Sequence, residues 1–228
     1  DASGSMNADD TNPSNDEKAA GWTRFNSLRV GIEGIIETVL ALDGTVGFSF
    51  FPAPDPALGV PEVITAPSDV TSIFKKVPTA YGANTPTGAA LRNLYEKKLK
   101  QLLTDSEPFT VVIFTDGGAS DRTDLEQFFK DIVRTHDLKS EKRQNLAAFT
   151  FIQQGNDSSA TEFLVYLDGT KNAAGKATAG LPLVLEREFG VEVDLADTQL
   201  DDFMFGRASG IAKDNQGPVN VLWNAIND

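Results

Sequence analysis

The segment Phe109-Thr110-Val111-Val112-Ile113-Phe114-Thr115 is an unbroken apolar run that stops at Asp116-Gly117-Gly118. A strand with water on one face alternates apolar and polar side chains. A strand without alternation is covered on both faces, as in a parallel sheet. Parallel neighbours are joined by crossover connections, usually helices. This one segment therefore asks for helices before and after it.

The flanking sequence supplies them. Between Gly21 and Leu42 the residues Trp22, Phe25, Leu28, Ile32, Ile35 and Val39 fall three or four apart and define one helix face, ended by Asp43-Gly44. Thr45 to Phe51 reads as a strand, and the proline-rich stretch 52–67 as a loop. Ser68 or Asp69 caps a short helix running to Val77. Thr85 to Leu103 is a helix with Pro86 in its first turn, where a missing N–H does no harm. After the apolar strand come a helix from Asp121 or Thr123 to Arg134, a strand from Leu146 to Gln153 and a helix from Ala160 to Leu167. Residues 169–180 read as a flexible loop, 181–189 as a helix, Val191 to Leu195 as a strand, and the stretch beyond Thr198 as one or two helices. Strands alternating with helices predict an α/β chain: a doubly wound, mostly parallel central sheet with helices on both faces. Ligands of such sheets bind in the crevice at the carboxyl ends of the strands.

Three oxygen-rich segments lie where that crevice would be. Asp1-Ala2-Ser3-Gly4-Ser5 carries a carboxylate and two hydroxyls on alternate residues, Asn84-Thr85-Pro86-Thr87-Gly88 adds a hydroxyl, and Asp116 a second carboxylate. The set contains no Cys and no His. An incomplete all-oxygen shell completed by water suits Mg²⁺ or Mn²⁺, with Ca²⁺ a further candidate.

Taken together, these segments resemble the von Willebrand factor A family. Its metal-ion-dependent adhesion site reads Asp-x-Ser-x-Ser, then a Thr, then an Asp. The run Thr85-Pro86-Thr87-Gly88-Ala89-Ala90-Leu91 and the strand ending Thr115-Asp116-Gly117 carry the match, and the tract from Phe151 to Asp157 resembles the intracellular, microbial branch. The resemblance implies a Rossmann-like domain over residues 1–198, with 199–228 a C-terminal helical extension. It implies metal ligands Asp1, Ser3, Ser5, Thr85 and Asp116, with Asp116 acting through a water and Thr87 supporting from behind. It also implies a protein partner whose Asp or Glu completes the metal shell. In the family a hydrophobic strand delivers the first Asp to the sheet. No residue stands ahead of Asp1 here, so the expectation is a sheet lacking its first central strand. An open apolar slot is then filled by upstream sequence or by another chain.

Composition narrows the classes. With 33 acidic against 20 basic residues the formal net charge is −13, which argues against a nucleic-acid backbone or an anionic membrane as partner. No apolar run approaches the roughly 20 residues of a membrane span. There is no Cys and only one His, His136, so disulfides are excluded and nucleophilic triads have no material. His136 sits at a helix end, where it answers the helix dipole. Asp121 reads as a helix cap, and Asp9, Asp10 and Asp16 as a solvated acidic loop. An aspartyl phosphatase would carry a second Asp where Ser3 stands, and no P-loop is present. The expectation is a non-enzymatic binding module. Its rivals, in order, are an accessory subunit of a AAA+ ATPase or other complex, a structural assembly component, and a Mg²⁺-dependent hydrolase.

Overall fold

A computed structural model describes residues 1–8, 23–43, 46–51, 61–77, 84–155, 157–174 and 176–199. The chain leaves Asp1 extended and closes at once into a short 3-10 turn, Gly4–Asn7. Helix α1 (Arg24–Asp43) buries Phe25, Leu28 and Ile32 as the three-to-four spacing predicts; Ile36 extends the buried face, Val39 is half-buried, and Trp22 lies outside the described residues. Strands β1 (Val46–Phe48) and β2 (Glu62–Ile64) pair antiparallel. Strand β2 corrects the loop read over 52–67: three residues are too few to show a periodicity, and what makes them a strand is their pairing with β1. In helix α2 (Pro67–Lys76) the Asp69 carboxylate reaches back to accept from the backbone N–H of Thr65 at 2.9 Å and of Ala66 at 3.0 Å.

Helix α3 (Thr87–Leu94) continues through a wider π turn, Tyr95–Leu99, into α4 (Lys100–Asp105). Then come β3 (Phe109–Thr115), α5 (Arg122–His136), β4 (Ala147–Gln153) and α6 (Ser158–Asp168). The stretch read as a flexible loop contains a hairpin instead, β5 (Thr170–Lys171) against β6 (Ala177–Ala179). Its turn is closed by the Asn172 side chain, which accepts from the N–H of Ala174 and of Lys176, both at 3.0 Å. Helix α7 (Gly180–Phe189) and strand β7 (Ala196–Gln199) follow. The strand expected at Val191 to Leu195 is thus displaced. Val193 and Leu195 are buried, and the Leu195 carbonyl accepts from Phe149 N at 2.9 Å where the ladder begins. Gln199, expected to open the C-terminal extension, belongs to β7, and the expected helices of 200–228 lie outside the described residues.

Strands β3, β4 and β7 form one parallel sheet in that order, with Phe109 opposite Ala147 through Thr115 opposite Gln153, and Phe149 opposite Ala196. Successive side chains of β3 point to opposite faces. Phe109, Val111 and Ile113 join a large core with α3, α5, α6 and α7, while Phe114 packs on a smaller core built from α1, α2, β1 and β2. The chain is therefore mixed α/β with apolar layers on both faces of β3, as its unbroken run required. The β1–β2 pair is a separate sheet, so the parallel ladder among the described residues has three strands.

Between β1 and β3 lies a slot. Among the described residues neither strand has a partner on that edge, and both edges line a cavity of about 1760 Å³ whose walls include Leu28, Ile32, Leu91 and Leu94. The first residues close one end of it. The Asp1 nitrogen donates to Phe114 O at 2.7 Å, and Ala2 N to Phe51 O at 2.6 Å. Unpaired strand edges facing an apolar cavity are costly. An apolar strand fused ahead of Asp1 is therefore expected to raise the melting temperature of residues 1–228 by roughly 5 °C or more, and the same strand interrupted by Pro to raise it less. Equal melting of all three proteins would show that the slot does not take a strand.

Candidate functional site

Asp116 is the first residue beyond β3, and it is 1 % exposed. Its two carboxylate oxygens are held in different directions. Oδ1 accepts from the Ser5 hydroxyl at 2.9 Å, with the Ser3 hydroxyl at 3.5 Å, and Oδ2 accepts from Arg24 Nη1 at 2.8 Å. The two serine hydroxyls lie 3.1 Å apart. They share a face because the alternate residues Ser3 and Ser5 straddle the start of the 3-10 turn. Asp1 fixes that turn from behind: Oδ1 accepts from Ser3 N at 2.7 Å and Oδ2 from the Thr115 hydroxyl at 2.8 Å. The N-terminal segment and the end of β3 are thus tied by side chains as well as by the Asp1 nitrogen.

Thr85 stands on the same rim. It is buried, and its carbonyl accepts from Thr87 N and Ser120 N, both at 2.9 Å. Its hydroxyl lies beside Gly117, where an added Cβ would come within 3.9 Å of it. Thr87 is buried beneath, with its hydroxyl 3.4 Å from Thr85 O. The turn carrying Thr85 is anchored by Asp121. That residue was expected to cap a helix, and the helix it caps is α3 rather than its own: its carboxylate accepts from Gly88 N at 3.0 Å and Ala89 N at 2.8 Å. The approach is possible because position 88 is glycine, since a Cβ there would lie 2.6 Å from Leu125 N.

The five expected ligands therefore gather at one end of β3, four of them in a single hydrogen-bonded cluster. Every side-chain donor is oxygen and two are carboxylates, a set that fits a small hard divalent cation and offers nothing to a thiophilic or imidazole-seeking metal. Among the described residues no group of three or more His, Cys, Asp or Glu is placed to hold a metal. Any ion here would rely on the hydroxyls.

Sequence reading missed Arg24. It opens α1, its backbone N–H donates to Ala8 O at 2.9 Å, and its side chain is 8 % exposed against 0 % for Asp116. Removing one partner of a buried pair of this kind costs roughly 3–5 kcal/mol. One signal was available. A cation in the first turn of a helix opposes the helix dipole, and α1 has no acidic residue there to offset it. Such a residue needs an anion from elsewhere. Gly155 was missed too: with φ at +85° it lets the strand end turn beneath Arg24, and a Cβ there would lie 2.7 Å from the Arg24 Cζ. Asp157 caps α6 by accepting from Ser159 N at 2.8 Å and Ala160 N at 3.2 Å. Asp9, Asp10 and Asp16 lie outside the described residues.

His136 lies away from this cluster, with Nε2 2.8 Å from the Tyr95 hydroxyl. Burial first, then Arg143 and Lys100, hold its pKa below that of a free imidazole. That shift works against the cationic form expected to answer the helix dipole. Comparison of the chain with family models, with curated proteins and with solved structures finds no match.

Two outcomes follow from these contacts. Asp121→Ala removes both caps of α3 and is expected to lower stability by about 1 kcal/mol in urea unfolding. For His136 the unfolded chain binds the proton at a higher pH than the folded one. Its contribution is therefore complete above about pH 6.5 and is lost as pH falls below that value. His136→Gln should flatten the fall in melting temperature between about pH 7.5 and 5.5; an unchanged slope would deny the group this role.

Proposed function

We propose that the chain is a divalent-cation-dependent protein-binding module, with Asp1, Ser3, Ser5, Thr85 and Asp116 as the ion's side-chain ligands. The observation that carries this reading is the clustering of two carboxylates and two serine hydroxyls at the end of β3, with the Thr85 hydroxyl on the same rim. When bound, Mg²⁺ or Mn²⁺ supplies an electrophilic centre to which an outside carboxylate can add. Only two of the five groups are anionic, so the ion keeps positive character that a partner's Glu or Asp answers. Ser5 is an exposed residue, which gives an approaching partner access to this rim. The fold class supports the same place, because open α/β sheets bind ligands beyond the carboxyl ends of their strands. Support for a binding role over catalysis comes from the chemistry of the cluster. It has no Cys, no His and no acid–base pair beyond the two carboxylates already bonded to hydroxyls and Arg24. An accessory role in a larger ATPase or assembly complex is compatible with such a module and rests on the same ion. No helix of the described residues is long and apolar enough to cross a membrane.

The test is retention of the protein on immobilised peptides that present an exposed Glu, against the same peptides with Gln, in Mg²⁺ and in chelator. Retention should require both Glu and Mg²⁺, and Ca²⁺, being larger, should support it less well. Thr85→Ala should weaken retention without lowering the melting temperature by more than about 2–4 °C. Equal retention in chelator would mean that the ion face is not the interface. For the ion alone, Asp1→Ala combined with Asp116→Ala should abolish Mn²⁺ binding; a double variant that binds like the parent sinks the assignment.

A further inference from the structure

Resting on that reading, we propose that Arg24 is the chain's own counter-cation for Asp116, and that it sets the strength of the divalent-ion site by competing for this carboxylate. The guanidinium donates to Asp116 Oδ2 at 2.8 Å while Oδ1 faces the serines, so one carboxylate is divided between a built-in cation and the ligand cluster. Both partners are nearly inaccessible, at 8 % and 0 % exposure, and charges so placed are little screened by salt.

The charge count decides the direction of the effect. Asp1 and Asp116 bring two negative charges to the cluster, and Arg24 returns one positive charge at hydrogen-bond distance. A divalent cation entering beside Ser3 and Ser5 meets that positive charge, and it meets an Asp116 with one oxygen already engaged. A residue that only oriented Asp116 would strengthen ion binding; a competing cation weakens it. The position of Arg24 favours competition. It stands in the first turn of α1, where a positive charge opposes the helix dipole, so it gains from the Asp116 carboxylate, with Asp157 a further anion within its field.

The competition has a structural consequence. Arg24 is bonded through its backbone to Ala8, at the end of the segment that carries Ser3 and Ser5, and its side chain lies over Gly155. An ion that draws Asp116 away from the guanidinium therefore loosens the start of α1 and its contact with the turn after β4. By linkage, anything that pulls Arg24 off Asp116 tightens the ion by the same factor. This gives the site a route by which movement of α1 reports on, or controls, its occupancy.

The experiment is Mn²⁺ titration calorimetry on the full chain as wild type, Arg24→Met and Arg24→Lys. Arg24→Met should bind about tenfold more tightly or better, within the usual span of site-to-site coupling, and Arg24→Lys, which keeps the charge, should stay near wild type. Wild-type binding with equal or weaker binding by Arg24→Met would overturn the competition while leaving the ion site in place. Uptake by neither protein would remove the ion reading and this inference with it. Because Arg24→Met breaks a buried pair, a second measurement uses the wild type alone. The Arg24 Nε–H resonance should move towards that of an exposed guanidinium as Mg²⁺ saturates the protein. A resonance that stays fixed at saturation contradicts the proposal.

Discussion

The Asp116 carboxylate is the joint on which the site turns. It stands where the parallel sheet ends, and each of its oxygens brings in a different part of the chain. One draws the N-terminal segment across through Ser5. The other draws the start of α1 across through Arg24. Without this divided carboxylate, the serine turn would lose a tie to the end of β3, and Arg24 would lose its buried ion pair in a helix's first turn. The cluster is thus part of the tertiary structure as well as a candidate binding site, and a change in its charge balance is felt in the fold.

The same end of the sheet shows what the described residues leave exposed. Strand β3 is apolar on both faces because a core lies on each. Its hydrogen-bonding edge towards β1 faces a cavity instead of a strand, and Asp1 and Ala2 bond to the two sides of that gap. The ligand cluster is built at the mouth of this slot. Whatever settles the slot also settles the position of Asp1, so the stability of the sheet and the geometry of the site are coupled through one residue.

Much of this was legible in the sequence, for physical reasons that can be named. The unbroken run of β3 and the spacing of Phe25, Leu28 and Ile32 in α1 are local signals that the structure carries, while Asp69 caps α2 from its third residue rather than from the N-cap, which is Ala66. The gathering of Asp1, Ser3, Ser5 and Asp116 at one strand end was implied by the motif resemblance, together with the place where open α/β sheets bind ligands. What escaped reading was set by contacts distant along the chain. Strand β2 exists through its pairing with β1, Asp121 caps α3 rather than α5, and β7 begins at Ala196, just after the strand expected over Val191 to Leu195. Arg24 escaped for the same reason. Its meaning lies in an anion 92 positions away, and the only local trace was a cation at the wrong end of a helix.

The most direct test of this account is anomalous diffraction at the manganese edge from crystals of the chain grown with Mn²⁺. The account predicts a single strong peak within coordination distance of the Ser3 and Ser5 hydroxyls, with Asp1, Thr85 and Asp116 around it and the Arg24 guanidinium displaced from Asp116. A peak elsewhere, or none at this strand end under saturating Mn²⁺, would contradict it.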